Sequence, residues 1–190
     1  MTGPGERTQT KKVRSRRLEA RVSPTDHVRG SPLAKVTLIS YGNFSNPDCT
    51  RTYRTVKKIQ KEMGSRLRYV FRCFPEPLEF ANSEKAAEAA ECASSQGKFW
   101  EMHDCMFENQ GAFDALRLAS CAKELGLDLR QFRRDMTRHV HLAKVRACRK
   151  TGVLCGVVQA PTFFINSLRH ESAFGLTTLL PAIQAATGAS

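Results

Sequence analysis

Cys49 and Asn46 are the residues whose types and spacing point most clearly to chemistry. They lie three positions apart in the segment Phe44–Cys49, which follows the apolar run Val36–Tyr41 and opens an amphipathic helical pattern. A cysteine in the first turn of a helix is a candidate thiolate, because the unpaired N–H groups and the helix dipole lower its pKa. A dithiol exchange cycle needs a second sulfur atom within reach of the first, and Asn46, one helical turn away, cannot supply it. The strand-to-helix corner formed by Phe44–Cys49 therefore predicts thiol chemistry with a single sulfur atom.

Asn46 also has a structural use at this corner. Asparagine is among the best N-cap residues, and Pro47 suits the first helical position because its missing N–H would be unpaired there. Asp48 favours the first turn electrostatically, but it disfavours a second negative charge on Cys49. The residues thus favour helix stability over nucleophilicity, and we expect a corner without standard redox activity.

The remaining cysteines do not form an evident framework. Their odd number and scattered spacing are not typical of the even sets of a disulfide-rich secreted chain, so we expect most to be thiols. His103 and Cys105, and His139 and His141, are two positions apart on predicted helices and face different sides, so no metal site or cofactor is expected. The chain has seven cysteines in all: Cys49, Cys73, Cys92, Cys105, Cys121, Cys148 and Cys155.

The pattern along the chain predicts a mixed α/β domain. A basic, polar leader covers residues 1–30, and a domain over 31–190 carries a helical insertion at about 80–150. The strand–helix–strand unit at its start predicts two parallel neighbours. The expected elements are a strand at 36–41, a helix at 47–63, a strand at 67–73, helices at 82–95, 97–109, 113–125 and 128–150, a strand at 160–166, a short hairpin strand at 168–171, and a terminal helix at 176–186 that Pro181 kinks or starts.

Charge and hydropathy limit the classes of partner. The net charge is +12, and the basic residues concentrate in the leader and in the helix predicted at 128–150. We interpret both as solvated surfaces and do not expect nucleic-acid binding, because no nucleic-acid-binding motif accompanies them. No apolar stretch approaches the roughly 20 residues that span a bilayer. No secretory signal is evident at the N-terminus, so a cytoplasmic location is expected, with a periplasmic or extracellular location as the alternative if the sequence was trimmed.

Several segments, in order, resemble the DsbA-like branch of the thioredoxin superfamily. The chain is similar to that family over about residues 26–188, which implies an α/β, thioredoxin-like fold with an inserted helical block. The matching stretches are 26–30, 36–44, 67–75, 84–92, 97–104, 106–110, 124–128 and 160–166.

The resemblance implies roles for residues at two places. Asn46 occupies the position of the family's attacking cysteine, and Cys49 is the residual active-site thiol. Pro161 would be a cis-proline that faces this corner, and Ala160, Pro161 and Thr162 would bind an extended substrate segment. The implied partners are protein or peptide thiols and disulfides, or extended peptides.

Three functional alternatives remain open. Cys49 could work with another thiol, and Cys73 is the first candidate because parallel strands bring the end of the second strand to the same edge as the helix N-terminus. Cys155, six residues before Pro161, is the weaker candidate. A single-thiol or glutathione-linked activity is a second alternative, although Ser45 lies one position away from the serine of such relatives. The third is a non-enzymatic, partner-binding or chaperone-like module that holds an extended peptide in the cis-proline groove. The sequence specifies neither a substrate nor an oligomeric state.

Overall fold

The computed structural model describes residues 22–109, 111 and 113–188. These described residues form a five-stranded sheet and seven α-helices, and a 3₁₀ turn at Gly64–Arg66 follows the first helix. In chain order the elements are β1 (His27–Arg29), β2 (Val36–Gly42), α1 (Pro47–Met63), β3 (Leu67–Cys73), α2 (Ser83–Ser94), α3 (Phe99–Glu108), α4 (Ala115–Glu124), α5 (Leu129–Thr137), α6 (Leu142–Leu154), β4 (Thr162–Ile165), β5 (Leu168–Arg169) and α7 (Leu176–Gly188).

The sheet brings one end of β2 and β3 to the start of α1. The strand order is β1-β3-β2-β4-β5, with β2 and β3 parallel and the other neighbouring pairs antiparallel. Gly42 lies opposite Cys73 at the carboxyl ends of the parallel pair. Because α1 begins five residues after Gly42, its N-terminus lies at this edge, as the strand–helix–strand pattern predicts.

Helix α1 packs one face into the core. Its buried side chains recur every three or four residues, which is the period of a helix with a single apolar face. Cys49 is the first member of this buried series, so its position in the helix directs its thiol inward. The series continues with Tyr53, Val56, Ile59 and Met63.

The leader predicted for residues 1–30 is too long at its C-terminal end. Residues 27–29 form β1, which pairs antiparallel with β3 and places Val28 opposite Val70. A strand of three residues carries too little alternation to be recognised from its composition. Residues 1–21, with the basic part of the predicted leader, lie outside the described residues.

The single helix predicted at 128–150 is two helices, and that prediction was wrong. Helix α5 ends at Thr137, and His139 adopts a left-handed backbone with φ of 52°. The amide of Val140 donates to the carbonyl of Asp135, which is the bond pattern of a helix end that glycine usually completes. The His139 ring contacts Glu88 Oε2 at 2.9 Å, which helps hold a non-glycine residue in this conformation. The insertion therefore runs from Ser83 to Leu154.

The C-terminal elements follow the predicted order. β4 and β5 form the expected hairpin, with Asn166 and Ser167 at positive φ in its turn. Helix α7 starts at Leu176 as predicted, and it continues through Pro181 instead of starting there.

Candidate functional site

Asn46 caps helix α1 and its side chain is buried. Its backbone is extended, with φ of −92° and ψ of 121°, and its Oδ1 accepts a hydrogen bond from the Asp48 amide at 2.8 Å. Pro47 occupies the first helical position, where its missing N–H costs nothing. The local sequence therefore fixes both the start of the helix and the orientation of the Asn46 amide.

The other end of the Asn46 side chain reaches the loop before β4. Its Nδ2 donates to the carbonyl oxygen of Ala160 at 2.9 Å, and the Ala160–Pro161 peptide bond is cis. The Ala160 amide donates to Glu76 Oε1 at 3.1 Å. Both backbone polar groups of Ala160 are thus already bonded within the chain. Thr162 begins β4 and pairs with Tyr41 of β2, so the three residues predicted to bind substrate lie together beside Asn46.

Glu76 is the site residue that sequence reasoning missed. It follows β3 at the same sheet edge, is buried, and its Oε2 accepts from Asn43 Nδ2 at 3.0 Å. It therefore joins the loop before α1 to the loop before β4. A carboxylate between Pro75 and Pro77, just after a buried strand, is the signal that could have identified it.

The thiol of Cys49 is buried and protonated at neutral pH. Only 3% of the residue is exposed, and its Sγ accepts a hydrogen bond from the Asn43 amide at 3.3 Å. Burial raises the pKa of Cys49 to about 12; the Asn43 bond acts in the opposite direction, and the charges of Glu76 and Asp48 add to the rise. Because the thiolate is the nucleophile, Cys49 is a poor attacking group in this environment.

A second titratable group lies beside Cys49. His103 of α3 lines the same small cavity of about 10 Å³, together with Pro161. Burial lowers the pKa of His103 to about 4, although its Nδ1 contact with Asp104 at 2.8 Å opposes that shift. Among the described residues, no group bonds to His103 Nε2. The cavity therefore presents a neutral imidazole to a neutral thiol.

Cys73 lies in a different cavity from Cys49. It lines a cavity of about 300 Å³ together with Cys148, Glu91 and Lys144. Burial raises the pKa of Cys73, and the charge of Glu91 and the neighbouring Cys148 add to that effect. The ring of Phe71 borders both cavities. The structure thus places Cys73 in one cavity with Cys148, and the proposed Cys49–Cys73 pair stays a prediction.

No group of three or more His, Cys, Asp or Glu side chains among the described residues is arranged to hold a metal ion. None of the helices in the same residues combines the length and the apolarity that crossing a bilayer requires.

The sheet, the inserted helices and the corner define a DsbA-like thioredoxin fold. The model of the family described as thioredoxin matches residues 22–185, and this chain belongs to that family. The predicted α/β fold with an inserted helical block is confirmed.

Two solved structures illustrate the fold. Oxidised BdbD from Bacillus subtilis superimposes with a TM-score of 0.77 at 18% identity, over 86% of this chain and 93% of that chain. A thioredoxin-like oxidoreductase from Silicibacter pomeroyi DSS-3 gives a TM-score of 0.78 at 25% identity, over 88% and 95% respectively.

The similar curated proteins are much longer than this chain. The Na(+)/H(+) antiporter NhaA 1 of Salinispora arenicola (strain CNS-205) is 35% identical over 161 residues, which are 85% of this chain and 24% of the antiporter. This chain thus spans about a quarter of the length of the curated relatives that it matches.

Proposed function

We propose that this chain is a protein of the thiol–disulfide oxidoreductase type whose corner does not run the two-thiol exchange cycle. The observation that carries the proposal is the placement of Asn46. Its amide is bonded to the Asp48 amide and to the Ala160 carbonyl, at the position that the family resemblance gives to the attacking sulfur. An amide cannot form a mixed disulfide with a substrate, nor a disulfide with Cys49. The cycle therefore lacks its first step.

The environment of Cys49 gives independent support. A thiol with a pKa of about 12 is ionised in only about one molecule in 10⁵ at pH 7. A cysteine placed at Asn46 would sit at the helix N-terminus, where thiol pKa values of about 3.5–7.5 occur. The thiolate population at the corner would then be about 10⁴- to 10⁵-fold larger. Cys49 is thus a poor group to start the exchange, and only its position one helical turn from residue 46 would let it resolve a mixed disulfide formed there.

The test restores the missing sulfur and measures exchange. The native chain, Asn46→Cys and Asn46→Ser are compared for reduction of a peptide disulfide and for oxidation of a peptide dithiol. We expect the native chain and Asn46→Ser at the uncatalysed rate and Asn46→Cys clearly above it. The double variant Asn46→Cys with Cys49→Ser should accumulate a mixed disulfide, because its resolving thiol is gone.

Two outcomes would count against the proposal. Native exchange as fast as that of Asn46→Cys would show that another thiol pair does this chemistry. An inactive but folded Asn46→Cys variant would show that the corner lacks more than the attacking sulfur. A native rate that falls on Cys73→Ser would favour the pair of Cys49 with Cys73.

A second candidate function is the binding of an extended segment of a partner protein. The observation that favours it is a groove of about 670 Å³ beside the cis-proline loop, lined in part by Leu78, Val153 and Val158. Leu78 is fully exposed and Val158 is 79% exposed. Since Ala160 has no free N–H to offer a peptide strand, apolar contacts in this groove would carry the binding in place of backbone pairing.

The binding test uses an unfolded polypeptide whose cysteines are carboxymethylated, so that no exchange can occur. Binding is followed by fluorescence anisotropy of the labelled polypeptide. Leu78→Asp and Val158→Asp should weaken it, whereas Cys49→Ser and the exposed control Leu116→Asp should not. Equal affinity in all four variants would exclude this groove.

A cytoplasmic location remains a prediction for either candidate function.

A further inference from the structure

Two cysteines of the helical insertion lie next to each other, outside the candidate site at the corner. Cys105 of α3 and Cys121 of α4 are both buried, with 8% and 3% of each residue exposed. Their Sγ atoms lie 2.7 Å apart across the contact between the two helices. The side chains therefore meet directly, although 16 positions separate them in the sequence.

Both cysteines are free thiols in this structure, and the Sγ of Cys105 donates towards the Sγ of Cys121. A disulfide can form where two sulfur atoms approach each other without movement of the backbone. The packing of α3 on α4 brings these two Sγ atoms into contact.

We propose that Cys105 and Cys121 are the oxidisable dithiol of this chain and form a disulfide that joins α3 to α4. The two thiols lose two protons and two electrons as the Cys105–Cys121 bond forms. A low-molecular-weight disulfide such as oxidised glutathione takes both, and its S–S bond breaks to give two free thiols. The site lies outside the corner and does not depend on Asn46 or Cys49.

The surroundings indicate a slow, structural crosslink. Burial raises the pKa of Cys121 to about 12, and its contact with Cys105 adds to that rise, so little thiolate is present at neutral pH. The same helix, α3, turns His103 and Phe107 towards the corner, where both rings contact Phe44. The disulfide would therefore crosslink α3, the helix that forms one wall of the Cys49 cavity, to α4.

The test maps the crosslink in the full chain. The folded protein is equilibrated with oxidised glutathione at pH 8.5, where exchange is faster, alkylated, digested and analysed by mass spectrometry. We expect a linked peptide pair that contains Cys105 and Cys121. Closing a loop of this length should raise the melting temperature by roughly 6–12 °C over the reduced protein.

Variants separate this pair from the other thiols. Cys105→Ser should lose both the linked peptide and the rise in melting temperature. Cys92→Ser, which removes another buried thiol on α2, should retain both. The proposal would be overturned if no linked peptide formed after equilibration, or if Cys73 and Cys148 were linked instead. Both results are read from the native chain, so they do not require a variant to fold.

Discussion

Replacing Asn46 by alanine should destabilise the protein by about 2 kcal/mol. Loss of the N-cap bond to the Asp48 amide costs about 1 kcal/mol. Loss of the bond from Nδ2 to the Ala160 carbonyl costs about 1 kcal/mol more, because that oxygen is left without this donor in a buried place. The free energy of unfolding follows from urea titrations monitored by circular dichroism. The urea midpoint should fall with an unchanged slope, since the surface exposed on unfolding is the same.

A matched variant separates the two bonds. Serine caps helices as well as asparagine does, but it is too short to reach Ala160, so Asn46→Ser should lose about half as much stability. For a chain of this size, the melting temperature of Asn46→Ala should fall by about 4–8 °C. An Asn46→Ala variant within about 0.5 kcal/mol of the native chain would refute the reasoning, because neither bond would then contribute to stability.

Three further outcomes follow from the core around the corner. The pKa of His103 is about 4 in the folded chain and 6.5 in the unfolded chain, so only the unfolded state binds a proton between these values. The free energy of unfolding, measured by urea titrations, should therefore fall by up to about 3 kcal/mol from pH 6.5 to pH 4. The fall should be smaller in His103→Gln, and an equal fall in both proteins would contradict this. Gly152→Ala would bring a Cβ within 2.8 Å of the Phe74 ring, so we expect a loss of about 1–3 kcal/mol in the same assay, and a stabilised variant would be inconsistent with that packing. Cys49 should react with maleimide at pH 7.5 only after unfolding, and rapid labelling of this residue in the folded protein, located by peptide mapping, would disprove its burial.

The sequence predicted the central strand–helix–strand unit closely. The apolar run at Val36, the proline at position 47 and the glycine at position 64 mark the limits of β2 and α1 through local rules that do not depend on distant residues. Asn46 could be recognised as a cap for the same reason.

Features that depend on contacts between distant segments could not be predicted in this way. The break at His139 needs the contact with Glu88, 51 positions away. The link from Glu76 to Ala160 spans 84 positions. The cavity shared by Cys73 and Cys148 joins β3 to α6. Only the packed structure brings such residues together, and local composition does not encode their distance.

The central claim is that the corner lacks the attacking sulfur and nothing else. The most direct measurement is the rate of peptide disulfide exchange by the native chain beside Asn46→Cys at equal concentration and pH. The account predicts the uncatalysed rate for the native chain and clear catalysis by the variant. Equal rates for the two proteins would contradict it.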